Sequence, residues 1–336
     1  MKRLPLLCAA LIAAALPANA DPVADFYKGK TVGIYVGFPP GGGYDIYSRI
    51  VAPHLSRHIP GNPTVVVRNM DGGVGVRAAA YITSATAQDG TSLGMFLDGL
   101  TLSKVLGGPG NFDPAKFNWI GRIVSTATFA MVWHTAPAQT IAAAKDREIT
   151  MGATSISSSS SYVPMALNDL AGTKIKIIRG YSGAPPIALA MERGEVNAHG
   201  GIALEAILAG KEEWLKEKKA SFLYYLGGTR FADRPDVPAL LDFATDERSR
   251  SIFGLLGGAV DIGRAFAAEP AAPPERVAAL RKALMDMAVD PIFIADMTKR
   301  NLSIEPMEGT QLQKMIAALA ATPAQQVEQT KKYFQQ

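Results

Sequence analysis

The sequence has 336 residues, of which 48% are hydrophobic and 19% charged, and its formal net charge is +4. No block of Lys and Arg could follow a nucleic-acid backbone, so we expect no nucleic-acid partner. The length suits two domains of ordinary size, with a core large enough to need no disulfide.

The first 20 residues have the pattern of a secretory signal peptide. A basic start is followed by an apolar run over residues 4–16 and by Ala-Asn-Ala at 18–20, which predicts cleavage after Ala20. The apolar run is shorter than the roughly 20 residues that a membrane span needs. The single cysteine, Cys8, lies inside this segment, so the mature chain would carry no thiol. We therefore expect a periplasmic protein without disulfides or cysteine metal sites.

Short apolar runs alternate with helical patterns along the mature chain. Strands are predicted at Thr31–Val36, Thr64–Arg68, Ser92–Leu97, Ile149–Gly152, Lys174–Arg179 and Phe222–Leu226. Helices are predicted at Ile46–Arg57, Val76–Thr86, Tyr162–Leu170, Pro186–Arg193 and Ala203–Lys218. This alternation predicts an α/β fold with mainly parallel sheets flanked by helices.

Two segments interrupt the alternation. Phe117–His134 and the glycine-rich Ser251–Gly263 both read as extended. In a two-lobed α/β fold they would be the crossovers, which assigns residues 21–122 and 256–336 to lobe I and residues 123–255 to lobe II. A single continuous sheet is the alternative. The segment after Ser251–Gly263 is predicted to be mostly helical.

Four loops rich in glycine or serine each follow a predicted strand and precede a helix. They are the first loop, "FPPGGGYD" (Phe38–Asp45), the second, "NMDGGVG" (Asn69–Gly75), the third, "ATSISSSSS" (Ala153–Ser161), and the fourth, "GYSGAPP" (Gly180–Pro186). In open parallel sheets, ligands bind where strands lead into helices. Glycine lets backbone approach a ligand, helix N-termini favour anions, and serine adds neutral donors. The four loops together predict a site for a small anion.

Catalytic and cofactor motifs are incomplete. Asp45 stands where G-x-G-x-x-G needs its third glycine, and Ala184 stands where G-x-S-x-G needs its last. His54 and His58 are four apart on a predicted helix, but no acidic ligand cluster lies nearby in the sequence, so we expect both at the surface. The sequence predicts no catalytic residue, no metal and no cofactor, and hence a protein that is not an enzyme.

The segment "FYKGKTVGIYVGFPPGGGYDIYSRIVAPHLSRHIPGNPTVVVRNMDGGVGVRAAAYI" resembles the amino-terminal signature of a known family. The family is the substrate-binding proteins of tripartite tricarboxylate transporters, also called Bug receptors. The resemblance continues through "DGTSLGMF", "FDPAKFNWIGRI", "GYSGAPPIALAMERGEVNA" and "RFADRPDVPAL" to the helix at Pro273–Arg281. It covers essentially the whole mature chain in order.

The resemblance implies a two-lobed periplasmic binding protein of the type II-like Venus flytrap class. Such a receptor closes on a small carboxylate, here a di- or tricarboxylate or an aromatic carboxylate. It then delivers the carboxylate to a membrane permease with one large and one small subunit. The receptor would be a monomer without a cofactor.

The family's ligand contacts carry over to both lobes. In lobe I they are Phe38, Gly42, Gly43, Tyr44, Asp45, Gly72 and Gly73, and in lobe II they are Thr154, Ser155, Ser157, Ser158, Ser182, Gly183 and Ala184. Asp45 is interpreted as the helix N-cap that fixes the first loop. Tyr44 replaces a small residue of the family and could stack on an aromatic ligand or narrow the cleft. Gly201 aligns with an acid that meets amino-group ligands in some members, which favours a plain carboxylate.

No arginine lies in the matched ligand-contact loops. The carboxylate would then be held by backbone dipoles and hydroxyls, and its affinity would depend weakly on salt. Two other hypotheses remain open at this stage. One is a sensory module that reports the ligand to a membrane kinase, and the other is a secreted hydrolase that uses Ser182 or a serine of 155–161.

Overall fold

The computed structural model of the protein describes residues 21–96, 99–156 and 158–334, so the predicted signal peptide and Ser157 lie outside it. The strands are β1 (Thr31–Val36), β2 (Thr64–Asn69), β3 (Ser92–Met95), β4 (Asn118–Val124), β5 (Thr128–Trp133), β6 (Ile149–Gly152), β7 (Ile175–Ile178), β8 (Ala198–Ala203), β9 (Ala220–Tyr225), β10 (Arg264–Ala268) and β11 (Met307–Glu308). The helices are α1 (Pro22–Tyr27), α2 (Gly43–His58), α3 (Val76–Ser84), α4 (Leu100–Val105), α5 (Ser159–Ala171), α6 (Ala184–Glu192), α7 (Leu204–Gly210), α8 (Glu212–Lys216), α9 (Glu247–Val260), α10 (Pro274–Ala288), α11 (Pro291–Lys299), α12 (Gly309–Ala320) and α13 (Ala324–Lys331). Among these helices, none combines the length and the apolar character that crossing a bilayer requires.

The first sheet has six strands in the order β11-β4-β10-β3-β1-β2. β1 is parallel to β2 and β3, whereas β10 is antiparallel to β3 and β4. All residues of β1 except the first are buried, as expected of a strand covered on both faces. The edge strand β2 instead alternates between exposed and half-buried residues.

The second sheet has five strands in the order β7-β6-β8-β5-β9. β6 is parallel to β7 and β8, whereas β5 is antiparallel to β8 and β9. The α/β architecture in two lobes is confirmed. Both sheets are mixed, because β5 and β10, the first strands after each passage between the sheets, run against their neighbours.

The extended segment predicted at Phe117–His134 carries the chain from one sheet to the other. It is divided into β4, which belongs to the first sheet, and β5, which belongs to the second. Only residues 125–127 separate the two strands. This short link is the first crossover.

The second crossover differs from its prediction. Ser251–Gly263 was expected to be extended, but most of it lies in helix α9, whose N-cap Asp246 accepts the N–H of Ser249. The glycines that suggested an extended segment serve close packing instead. A Cβ added to Gly257 would lie 2.3 Å from the backbone nitrogen of Gly228. Sequence pattern alone does not distinguish a glycine that packs from a glycine that breaks a helix.

One predicted helix is divided in two. Ala203–Lys218 forms α7 and α8, which meet at Lys211, a residue with non-helical φ and ψ of −143° and 23°. Gly210 precedes the break and weakens the helix there. The helical character predicted for the C-terminal segment is confirmed by α10 to α13.

The two sheets share one hydrophobic core. The largest cluster of buried side chains includes Phe96 and Trp119 from the first sheet and its surroundings, and Met151 from the second. Phe253 and Leu256 of α9 are fully buried in the same cluster. Helix α9 therefore connects the sheets through packing as well as through the chain.

Candidate ligand-binding site

The first loop holds Asp45 in a buried hydrogen-bond network. Helix α2 begins after the N-cap Gly42, so Asp45 is its third residue and not the N-cap that the sequence suggested. The carboxylate accepts hydrogen bonds from the N–H of Gly41 (2.9 Å), from Arg49 Nε (2.9 Å) and from Asn69 Nδ2 (2.8 Å). Burial opposes ionisation, but these hydrogen bonds outweigh it and lower the pKa of Asp45. Asp45 thus fixes the turn from inside the helix.

The aromatic residues of the first loop pack on each other. The rings of Phe38 and Tyr44 are stacked, with centroids 4.5 Å apart and planes inclined by 16°. Asn69 Nδ2 also donates to the carbonyl of Phe38 (3.0 Å), which ties the start of the loop to the end of β2. Of the glycines in this loop, Gly42 is exposed and Gly43 is half-buried. One face of the Tyr44 ring is therefore covered by Phe38.

The second loop lies directly against the first. Gly72 and Gly73 have φ angles of 140° and 59°, which glycine adopts at low cost. Gly73–Gly75 forms one 3₁₀ turn that leads into α3. A Cβ added to Gly37 would lie 2.5 Å from the Cα of Gly75, so the second loop touches the backbone at the residue just before the first loop.

The third loop is organised by its own hydroxyl groups. Ser158 is the N-cap of α5, and its Oγ donates to the carbonyl of Ser155 (2.7 Å). The Oγ atoms of Ser158 and Ser160 are 2.7 Å apart, and Ser160 Oγ accepts the N–H of Thr154 (3.2 Å). Neutral groups therefore fix the start of α5.

A cavity of about 710 Å³ lies between the second and third loops. From the first lobe it is lined by Gly73, Val76 and residues around α4, including Gly99, Leu100, Ser103 and Pro109, and from the second by Thr154, Ser155, Ser158, Ser159 and Tyr162. Lys331 and Phe334 complete the wall, and the ring of Phe334 stacks on Tyr162 at 4.5 Å. Small-molecule sites are concave, with a few polar groups on an apolar surface, and this cavity has that character.

The cavity contains four of the predicted contact residues, namely Gly73, Thr154, Ser155 and Ser158. Nine others do not line it: Phe38, Gly42, Gly43, Tyr44, Asp45, Gly72, Ser182, Gly183 and Ala184. Ser157 lies outside the described residues. The structure therefore brings the second and third loops together around one space, with the first and fourth loops beside it.

The fourth loop is attached to the third. The N–H of Gly180 donates to the carbonyl of Thr154 (3.0 Å), and the N–H of Tyr181 donates to that of Ala153 (3.4 Å). Ser182 is exposed at the tip of the loop, just before α6 begins. The fourth loop therefore continues the surface of the third.

His199 supports the fourth loop from below. Its Nε2–H donates to the carbonyl of Ala184 (3.1 Å), and its Nδ1 accepts the N–H of Gly201 (3.0 Å). Both ring nitrogens are engaged, and burial lowers the pKa of His199 to about 4. A general base for a serine nucleophile needs a nitrogen free to accept the hydroxyl proton, and His199 offers none.

Of the two histidines expected at the surface, His54 is buried and His58 is half-buried. The ring of His54 is 3.2 Å from Asp296 Oδ2 and 2.8 Å from Arg57 Nη2. His58 Nε2 is 3.4 Å from Asp290 Oδ2. The prediction that His54 lies at the surface is therefore wrong. Its partner Asp296 lies in α11, far away in the sequence, so the residues around His54 do not reveal the contact. Within the described ranges, no three His, Cys, Asp or Glu side chains are grouped so as to hold a metal ion.

Sequence reasoning missed a buried ion pair that joins the two lobes at the first loop. Arg264, at the start of β10, is 5% exposed, and its Nη2 is 2.6 Å from Oε1 of Glu205 in the first turn of α7. The guanidinium carbon lies 5.7 Å from the ring centroid of Tyr44 and 4.5 Å from that of Tyr47. A Cβ added to Gly43 would be 2.6 Å from Nη2. The only sequence clue is a charged residue at the start of an apolar strand.

No protein-family model and no curated protein matches the chain. Solved structures do match it. A TctC solute-binding protein from Polaromonas, solved without ligand, is 23% identical with a TM-score of 0.70, covering 88% of this chain and 96% of that one. The periplasmic binding protein BugD is 20% identical with a TM-score of 0.61, covering 91% of this chain and 98% of its own.

A third structure, the R. palustris protein Rpa4515 with adipate, is also 20% identical with a TM-score of 0.61. It covers 91% of this chain and 97% of its own. These likenesses extend over nearly the whole described chain, including both sheets. The chain therefore has the two-lobed fold of the TctC and Bug solute-binding proteins, as the sequence resemblance predicted.

Proposed function

We propose that this protein is a periplasmic receptor of the tripartite tricarboxylate transporter class, which binds a small carboxylate and delivers it to a two-component membrane permease. The cavity of about 710 Å³ carries the proposal, since donor-rich loops from both lobes line it. Hydroxyls and backbone at the start of α5 suit an anion, because helix N-termini present N–H groups and positive potential.

The lobes that would close on the ligand are those expected from the sequence, residues 21–122 with 256–336, and residues 123–255. The strands of the two sheets and the three-residue link between β4 and β5 support a division into two lobes, although the expected bounds fall inside β4 and α9. A ligand that contacts both lobes stabilises the closed state by its additional contacts there, and closure presents a surface for the permease to recognise.

Two observations support the proposed ligand class, one from the site and one from a neighbouring structure. The R. palustris protein was solved with adipate, a dicarboxylate. Ser155 and Ser158 line the cavity, and the hydroxyl of Ser158 could donate to a carboxylate by turning away from the carbonyl of Ser155. Lys331 also lines the cavity, with its ammonium paired with Glu328. We infer a di- or tricarboxylate or an aromatic carboxylate.

Thermal denaturation of residues 21–336 with a panel of ligands tests the function. The panel contains adipate, malate, citrate, benzoate, the phthalate isomers and amino acids. A ligand present at about 100 times its Kd adds roughly 2.7 kcal/mol of stability, which raises the melting temperature by several degrees. A response confined to carboxylates would support the proposal. The proposal would be contradicted if no ligand of the panel raised the melting temperature while a control receptor responded to its known ligand.

A further inference from the structure

We propose that Arg264, which lies between the lobes at the first loop and does not line the large cavity, binds a carboxylate group of the ligand, and that Glu205 occupies that place until the ligand arrives. The inference rests on the proposed function and goes further, because it assigns the charge recognition to residues outside the four loops. Glu205 would be an internal competitor carried by the opposite lobe.

The guanidinium of Arg264 has unused hydrogen-bonding capacity. Its Nη2 donates to Glu205, but Nε and Nη1 are buried and have no hydrogen-bond partner among the described residues. Buried donors without partners are rare, and each one costs stability. Arg264 therefore has the donors that a second or different acceptor could use.

A second buried arginine shows the contrast. Arg122 is as buried as Arg264, yet Nε donates to the carbonyl of Glu305, Nη1 to that of Asp261 and Nη2 to the carboxylate of Glu305. All three nitrogens of its guanidinium are satisfied within the protein. Arg122 is a structural arginine, whereas Arg264 is satisfied at one nitrogen only.

Arg264 lies at the N-terminus of helix α2, where the electrostatic potential is already positive. The contact with Gly43 places its guanidinium on the first turn of the 16-residue helix α2. The N-terminus of a helix carries a partial positive charge, so a cation is unfavourable there unless an anion joins it. In this structure Glu205 is the carboxylate that pairs with Arg264. The other carboxylate of this helix turn, Asp45, is paired with Arg49 instead.

Glu205 presents the same functional group as the proposed ligand. Its carboxylate is one-quarter exposed, and it reaches Arg264 from α7, which follows β8 of the second sheet. Nε and Nη1 are buried in this arrangement, so the inference requires Glu205 to move away before a ligand binds the guanidinium. A ligand carboxylate could then bind two nitrogens of one edge, which is stronger than the single contact of Glu205.

The first experiment is titration calorimetry of wild type, Arg264→Gln and Arg122→Gln with adipate, citrate and benzoate. We expect Arg264→Gln to weaken binding roughly 10- to 100-fold, as loss of a charged hydrogen-bonding partner does. Arg122→Gln is the matched control for loss of a buried arginine, and we expect its affinity to stay near that of wild type. Circular dichroism checks that each variant is folded.

The second experiment tests the competitor. Glu205→Gln should bind the same probes about fivefold more tightly, which corresponds to removing an ion pair worth about 1 kcal/mol. Glu212→Gln changes the net charge equally from α8 but contacts Lys216 instead, so its affinity should match wild type.

The outcomes separate this inference from the proposed function. If wild type binds and Arg264→Gln binds equally well, the anchor is wrong and the receptor function stands. Weaker binding by Glu205→Gln would show that Glu205 contacts the ligand, which overturns its role as a competitor. If wild type binds no carboxylate, both the function and this inference fail.

Discussion

Helices α2 and α5 both begin at a loop predicted to hold the ligand, but they begin in different surroundings. The start of α5 is neutral, organised by the hydroxyls of Ser158 and Ser160, and lines the large cavity. The start of α2 is charged, held by Asp45 and covered by Arg264, and it does not line the cavity. The comparison shows that the large cavity lies at the start of α5, whereas the buried Arg264–Glu205 pair lies at the start of α2. Two helix starts that look equivalent in sequence can therefore contribute different things to one site.

The largest expected effect concerns His199, a buried and neutral side chain of β8 in the second lobe. The folded pKa is about 4 and the unfolded one about 6.5, so between these values only the unfolded state takes up a proton. Stability due to neutral His199 is complete above pH 6.5 and falls by on the order of 3 kcal/mol as the pH drops to 4. His199→Gln keeps a donor and an acceptor but does not titrate. Urea denaturation at pH 7.5 and 4.5 should show wild type losing stability relative to this variant, and parallel pH profiles would contradict the prediction.

Two tryptophan substitutions test whether the ligand binds in the cavity beside the third loop. Ser155 lines the cavity, whereas the exposed Ser182 of the fourth loop does not. Ser155→Trp should therefore weaken binding of the best panel ligand at least about 100-fold, equivalent to about 2.7 kcal/mol. We expect Ser182→Trp to have the smaller effect. Calorimetry measures both, and a larger loss at Ser182 would place the ligand against the fourth loop instead.

The charged start of α2 is tested at Asp45, where we expect the smallest effect. Asp45→Ala leaves three donors without their acceptor, on Gly41, Arg49 and Asn69. Loss of these bonds should cost about 2 kcal/mol of unfolding free energy in urea denaturation at pH 7. Asp113→Ala is the control, since that carboxylate accepts one exposed backbone bond and should cost less than half as much. Equal costs would mean that the Asp45 network adds nothing beyond an ordinary cap.

Much of the fold was predictable because the apolar runs are regular. β1 is buried at five successive positions, and such a run between turn residues indicates a central strand. The prediction of an extended segment in place of helix α9 is wrong because Gly257 packs against Gly228. This is a tertiary contact, and the local sequence pattern gives no sign of it. His54 was misplaced for the same reason, since its partner Asp296 is distant in the chain.

The sequence predicts only those residues of the candidate site that lie in the glycine- and serine-rich loops. Ser155 and Ser158 were identified by their position between a strand and a helix, and both line the cavity. Arg264 and Glu205 were not, because their significance comes from burial against each other across two lobes. The sequence also predicts a weak salt dependence of binding, and we expect the same with Arg264 as a contact, since buried charges are screened much less than exposed ones.

The stacking of Phe334 on Tyr162 makes the cavity depend on the C-terminal segment of the described chain. Phe334 lies in the turn Lys332–Phe334 that follows α13, beyond the last strand of either sheet. Removing residues 332–336 would therefore take away part of the cavity wall without removing a strand. The binding site thus relies on a segment that neither sheet needs for its strand pairing.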